Sequence, residues 1–146
     1  MISVQSADFS VEKECRWLNN NASDGAIVTF IGKVRDMNFG DNITTLRLEH
    51  YRGMTENSLK DICNEAKWRW QLGKVRVIHR VGTLDIGDQI VFVGVSSVHR
   101  KVAFEACAFI MDLLKTKAMF WKKECLVDNE RWIEVCDSDS EAAKRW

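Results

Sequence analysis

Apolar residues recur along this chain at two different spacings, and the changes between them mark out a series of predicted elements. Ser10 can cap a short helix carrying Val11, Cys15 and Leu18 on one face, and the run Asn19-Asn20-Asn21 stops it. Ala26-Ile27-Val28-Thr29-Phe30-Ile31 is β-branched and apolar at consecutive positions. That pattern predicts a strand from Ala26 to about Arg35, covered on both sides. Asp36 to Asn42 reads as a loop and Ile43 to Tyr51 as a second strand. From Thr55, the positions Leu59, Ile62, Cys63, Ala66 and Trp70 form one helical stripe, with Gly73 placed to end it. Val75–Val81 and Ile90–Val95 read as strands joined by a turn at Leu84-Asp85-Ile86-Gly87-Asp88. A long helix follows, from about His99 to Lys115, with Val102, Ala106, Phe109, Ile110 and Leu113 inward. Phe120–Cys125 and Arg131–Val135 flank a hairpin turn, and Asp137–Ala143 is polar, helical or loose. Two main helices on a mixed sheet, plus a hairpin, make an α+β protein, and 146 residues suit a single domain over 1–146.

Composition narrows the function classes. The 21 basic and 21 acidic residues cancel, which argues against a general polyanion or nucleic-acid binder. No apolar stretch approaches the roughly 20 residues of a membrane span, and the first residues lack a basic-then-apolar secretory pattern. The five cysteines are scattered with no C-x-x-C pair. That argues for unpaired, mostly buried thiols in a reducing cytoplasm and against a zinc set. Phosphate-loop, dinucleotide, nucleophile-elbow and zincin motifs are absent.

The basic residues cluster beside the ends of apolar elements: Lys33 with Arg35, His99-Arg100-Lys101, Lys115 with Lys117, and Lys122-Lys123. A rigid fold could hold these groups at a common edge. Ser96 to Arg100 lies where a buried strand passes to a helix start, whose free N–H groups favour an anion. Arg100 adds a bidentate fork there, although a solvated helix start accounts for the same residues. Lys115 suits a helix C-terminus by the dipole alone. Lys122, in Phe120-Trp121-Lys122-Lys123, is either a solvent-facing strand lysine or a desolvated one able to exchange a proton near neutrality. His50 and His79 read as packed, hydrogen-bonded histidines rather than ligands.

At these same residues the sequence resembles the large, catalytic subunits of molybdopterin synthase. The resemblance rests on Val28-Thr29-Phe30-Ile31-Gly32-Lys33-Val34-Arg35, Leu48-Glu49-His50-Tyr51, Gly53-Met54-Thr55-Glu56 and Val77-Ile78-His79-Arg80-Val81-Gly82. It continues through Ile90–Val95, His99-Arg100 with Ala103-Phe104-Glu105-Ala106, and Ile110–Thr116. Phe120-Trp121-Lys122 and Ala142-Ala143-Lys144-Arg145-Trp146 complete it, so the likeness runs from about Gly25 to the C-terminus.

That resemblance implies an α/β-hammerhead fold with an additional antiparallel sheet. It implies a sulfurtransferase that converts cyclic pyranopterin monophosphate into molybdopterin. The sulfur comes from the thiocarboxylated C-terminal Gly-Gly of a small ubiquitin-like subunit. It also implies a homodimer within a heterotetramer, with no metal or redox cofactor. By the same likeness Lys33, Val34, Arg35, His99 and Arg100 line the substrate site, and Lys115 and Lys122 are the essential lysines. Phe39 or Trp121 could wall the channel for the partner's tail. Cys136 stands where the family would carry a basic residue. A non-catalytic module that binds a ubiquitin-like sulfur carrier is the alternative.

Overall fold

In the computed structural model, which describes residues 1–146, the apolar run expected at Ile90–Val95 is the central strand β7 (Gln89–Ser97). It lies between β5 (Val75–Arg80) and β2 (Ala26–Lys33), antiparallel to both. A short strand, β1 (Ile2–Gln5), adds parallel to β5, giving the order β1-β5-β7-β2. Side chains alternate across this sheet. Val91, Val93 and Val95 join Val75 and Val77 against α2 (Met54–Arg69) and α3 (Arg100–Lys117), which supply Leu59, Ile62, Ala66, Phe109 and Ile110. Ile78 and Phe92 face the other way, onto Phe9 and Leu18 of the α1 side (α1, Val11–Leu18).

Coverage on both sides therefore belongs to β7 and not to β2, where the sequence pattern placed it. β2 is the edge strand, α1 packs on β5 and β7, and Ile27, Phe30 and Ile31 stay 37%, 41% and 36% exposed. A β-branched apolar run reports that a strand needs cover, not which surface supplies it.

The second sheet is antiparallel. β4 (Asp41–His50) pairs with β8 (Phe120–Leu126), and β8 with β9 (Glu130–Ile133). β6 (Gly82–Asp85) takes the other edge of β4, over a small core of Val34, Leu46, Leu48 and Leu84. The expected loop at Asp36–Asn42 contains a hairpin, in which β3 (Met37–Asn38) pairs with the start of β4. Phe39 and Gly40 both have positive φ, 51° and 81°, as a two-residue primed turn requires. The result is the α/β-hammerhead with an added antiparallel sheet that the resemblance implies.

Helix ends follow local chemistry. Ser10 caps α1, its hydroxyl accepting from the Lys13 N–H. α2 starts one residue earlier than expected, at Met54, and the Glu56 carboxylate accepts the Gly53 N–H at 2.6 Å. It ends at an extended Trp70, so Gly73 does not terminate it. Gly73 is needed for close approach instead: a Cβ there would lie 2.0 Å from the Asp24 carboxylate. That carboxylate is held by Asn21 and Ser96. The polar tail forms α4 (Asp137–Ala143), which packs on α3, and Arg145 and Trp146 beyond it both donate to Asp112 at 2.7 Å.

All five cysteines are free, but only Cys63 and Cys107 are buried, their thiols pushed up to about 11 by desolvation. No helix is long and apolar enough to cross a membrane.

Candidate active site

Strand alternation on β8 sends Phe120, Lys122 and Glu124 to one face, opposite His50, Leu48 and Leu46 of β4. That face mixes apolar and ionisable side chains, and Lys122 sits half-buried on it, between register partners Leu48 and Ile133. Desolvation lowers its pKa and the neighbouring Lys115 ammonium lowers it further, while the Asp139 and Glu124 carboxylates oppose both. The nearby ion pairs engage Lys115 and Glu124 and leave the Lys122 ammonium without a partner.

Lys115 comes from the last turn of α3, where the helix dipole also favours it. Its Nζ meets the Asp139 carboxylate of α4 at 3.1 Å. Glu124, only 5% exposed, accepts from Asn38 Nδ2 at 2.5 Å and from Arg131 Nε at 2.9 Å. Asn38 Oδ1 in turn accepts from the Arg35 guanidinium at 3.1 Å. Two sets of contacts, Arg35-Asn38-Glu124-Arg131 and Lys115-Asp139, thus flank Lys122, which feels the charges of Glu124, Lys115 and Asp139 without bonding to them.

Lys33 is exposed at the end of β2, opposite Gln89. Val34 is buried in the Leu46-Leu48-Leu84 cluster, and its N–H and C=O both bond to the 87–88 turn. It fixes the backbone between Lys33 and Arg35.

His99 and Arg100 are not with them in a single chain. They open α3 and are exposed, fifteen residues before Lys115, or about 22 Å along the axis. His99 is the N-cap residue without a side-chain capping bond. β2 spans a similar gap, since Ala26 pairs with Ser97 and Lys33 with Gln89, about 23 Å apart along the strand. The four basic clusters therefore do not share one edge of one chain.

His50 and His79 are packed. His79 is 2% exposed, stacked on Phe120 with ring centres 3.8 Å apart, and its Nδ1 lies 2.8 Å from the Arg80 carbonyl oxygen. Burial, helped by the charges of Lys122 and His50, pushes its pKa down to about 3. His50 Nε2 lies 3.5 Å from the Glu56 carboxylate. Trp121 is turned to the β8 face opposite Lys122 and packs edge-on against Tyr51 at 4.8 Å. Phe39 is exposed at the hairpin tip, beneath the Arg131 guanidinium at 5.4 Å.

Asn38, Glu124, Arg131 and Asp139 were not singled out by the sequence reading. Glu124 alone had a signal, two residues from Lys122 in the same strand. Cys136, just before α4, is exposed, and hydrogen bonding by Ser138, whose hydroxyl donates to its sulfur at 3.2 Å, lowers its pKa. Two clefts lie elsewhere: one of about 300 Å³ among α2, α3 and the C-terminus, and one of about 510 Å³ along α1. Neither is lined by Arg35, Lys115 or Lys122.

Such an arrangement defines a class of protein, an α+β domain whose gathered ammonium and guanidinium groups have the chemistry to hold an anion. Comparison with known proteins narrows the class. The family model described as MoaE protein matches residues 4–117. A molybdopterin synthase catalytic subunit from Vibrio cholerae is 60% identical over 145 residues, covering 99% of this chain and 97% of that protein. The Escherichia coli protein of the same name is 57% identical over the same coverage. Among solved structures, the molybdopterin biosynthesis MoaE protein from Burkholderia ambifaria superposes with a TM-score of 0.85. It is 44% identical, and the match covers 100% of this chain and 97% of that one. The chain belongs to the MoaE family. The likeness starts well before Gly25, and Lys122 lies beyond the family match but within the span shared with the relatives.

Proposed function

We propose that this chain, a single domain over residues 1–146, is the catalytic subunit of a molybdopterin synthase, a sulfurtransferase of molybdenum cofactor biosynthesis. It takes sulfur from the thiocarboxylated C-terminal Gly-Gly of a small ubiquitin-like subunit. It uses that sulfur to build the dithiolene of molybdopterin on cyclic pyranopterin monophosphate. The observation that carries this reading is the half-buried Lys122 ammonium on β8, without an ion-pair partner of its own and within the electrostatic reach of the Lys115–Asp139 pair.

The chemistry asks for that pair. When sulfur leaves an acyl carrier, negative charge develops on the acyl oxygen and leaving groups need protons. Fixed ammonium groups in a site of low polarity stabilise the first and supply the second. Lys122 is the better proton donor because its charged form is already disfavoured, and Lys115 is its ion-paired neighbour.

Arg35 and Lys33 meet the substrate's phosphate in this reading, with Val34 fixing their spacing. His99 and Arg100 act from a second copy of the chain. The exposed Ile27 and Ile31 on one face of edge strand β2 and Phe30 on the other, with Val98 and Phe104 at the start of α3, supply apolar side chains along an open edge for such pairing. A homodimer with one small subunit at each end, a heterotetramer, follows. Five free thiols suit a cytoplasmic setting.

The test is reconstitution with the thiocarboxylated partner and cyclic pyranopterin monophosphate, with molybdopterin as the readout. Lys115→Ala is expected to lose about 100-fold or more in turnover while keeping its melting temperature. Near-normal turnover would remove Lys115 from the mechanism. Tail binding without product in the unmodified protein would favour a non-catalytic module.

A further inference from the structure

Asn38 holds a place in the site that its chemistry makes hard to fill otherwise. Its Oδ1 accepts from the Arg35 guanidinium at 3.1 Å, and its Nδ2 donates to the Glu124 carboxylate at 2.5 Å. A guanidinium can only donate and an ionised carboxylate can only accept, so the amide has one orientation here. An aspartate would set two carboxylates against each other. An apolar residue would leave a buried oxygen of Glu124 without its donor.

Arg131 fixes the rest of this arrangement. From β9 it donates to Glu124 at 2.9 Å, to the Asn38 carbonyl oxygen at 2.9 Å and to the Asp41 carboxylate at 2.7 Å. It therefore clamps the β3–β4 hairpin on both sides of the Phe39-Gly40 turn. The Asn38 bond is the one side-chain hydrogen bond that Arg35, itself exposed, makes. Without it a long arginine side chain is free to sample many rotamers, and aiming it at a ligand costs entropy on binding.

We infer that Asn38 is a positioning residue for Arg35, held in orientation by Glu124 and Arg131, so that the guanidinium is aimed before the substrate's phosphate arrives. This rests on the proposed role of Arg35.

The test is a double-mutant cycle in the reconstituted synthase. Asn38→Ala leaves the backbone clamp of Arg131 in place. It is expected to raise KM for cyclic pyranopterin monophosphate about three- to tenfold, with kcat within about twofold. In an Arg35→Ala background the same change should add nothing to KM. An unchanged KM in Asn38→Ala, or an equal rise in both backgrounds, overturns the inference. An unchanged KM in Arg35→Ala alone overturns instead the reading that Arg35 meets the substrate. If Asn38→Ala does not fold, Arg131→Lys takes its place in the cycle, because it keeps the charge but loses the three-way fork.

Discussion

Lys115 and Asp139 form an ion pair across the packed ends of α3 and α4, with Nζ at 3.1 and 3.3 Å from the two carboxylate oxygens. The pair bears on a third residue, since Lys115 lowers the pKa of Lys122 and Asp139 raises it. Removing the carboxylate therefore lets the Lys122 pKa fall further. Asp139→Asn is expected to shift the alkaline limb of the kcat–pH profile to lower pH, because the working ammonium is lost sooner. A limb that stays in place would separate Asp139 from the reacting groups.

Lys122→Met separates function from stability. Turnover should drop by about 100-fold or more, as when a preorganised electrostatic group is removed. The melting temperature should hold or rise, because a half-buried ammonium without a partner is replaced by a side chain of similar length that needs no solvation. A melting temperature several degrees lower would mean that the lysine is there for packing.

His79 sets a pH dependence of folding. It is neutral in the folded chain, its pKa pushed down to about 3 from 6.5, so the unfolded chain binds the extra proton between those values. Stability is then fully present above about pH 6.5 and declines as pH falls towards 3, by up to about 1.4 kcal/mol per pH unit. Denaturant melts between pH 4 and 7 should show the slope, and His79→Phe should flatten it. An equal slope in the variant would assign it to other groups.

Shared pockets predict complementation. Lys115→Ala and Arg100→Ala should each be inactive alone, yet mixing and reassembling them should restore about a quarter of normal activity. Half of the dimers would then be mixed, with one intact pocket in each. No recovery after verified subunit exchange would place both residues in the same chain's pocket.

Most of the elements were legible because they follow from local chemistry. The Leu59-Ile62-Cys63-Ala66 stripe, the Ser10 cap and the Ile90–Val95 run are each set by residues a few positions apart. β1 was not legible, since four residues carry too little pattern, and its strand form comes from pairing with β5 some 75 residues away. The Phe39-Gly40 turn was hidden because phenylalanine seldom takes positive φ. The lysines and arginines of the candidate site could be named from their clusters and from the family likeness. Their partners could not: Asn38 and Glu124 are 86 positions apart, and Lys115 and Asp139 are 24 apart.

By itself, then, the sequence determined the helices, most of the strands and which cationic residues deserve notice, since periodicity, capping and residue chemistry act over one or two turns. Only the tertiary structure decided which strand is covered on both faces, which lysine loses its water and which amide aims Arg35. Those depend on what a side chain meets across a sheet or a helix end, and desolvation and hydrogen-bond geometry exist only once distant segments have packed together.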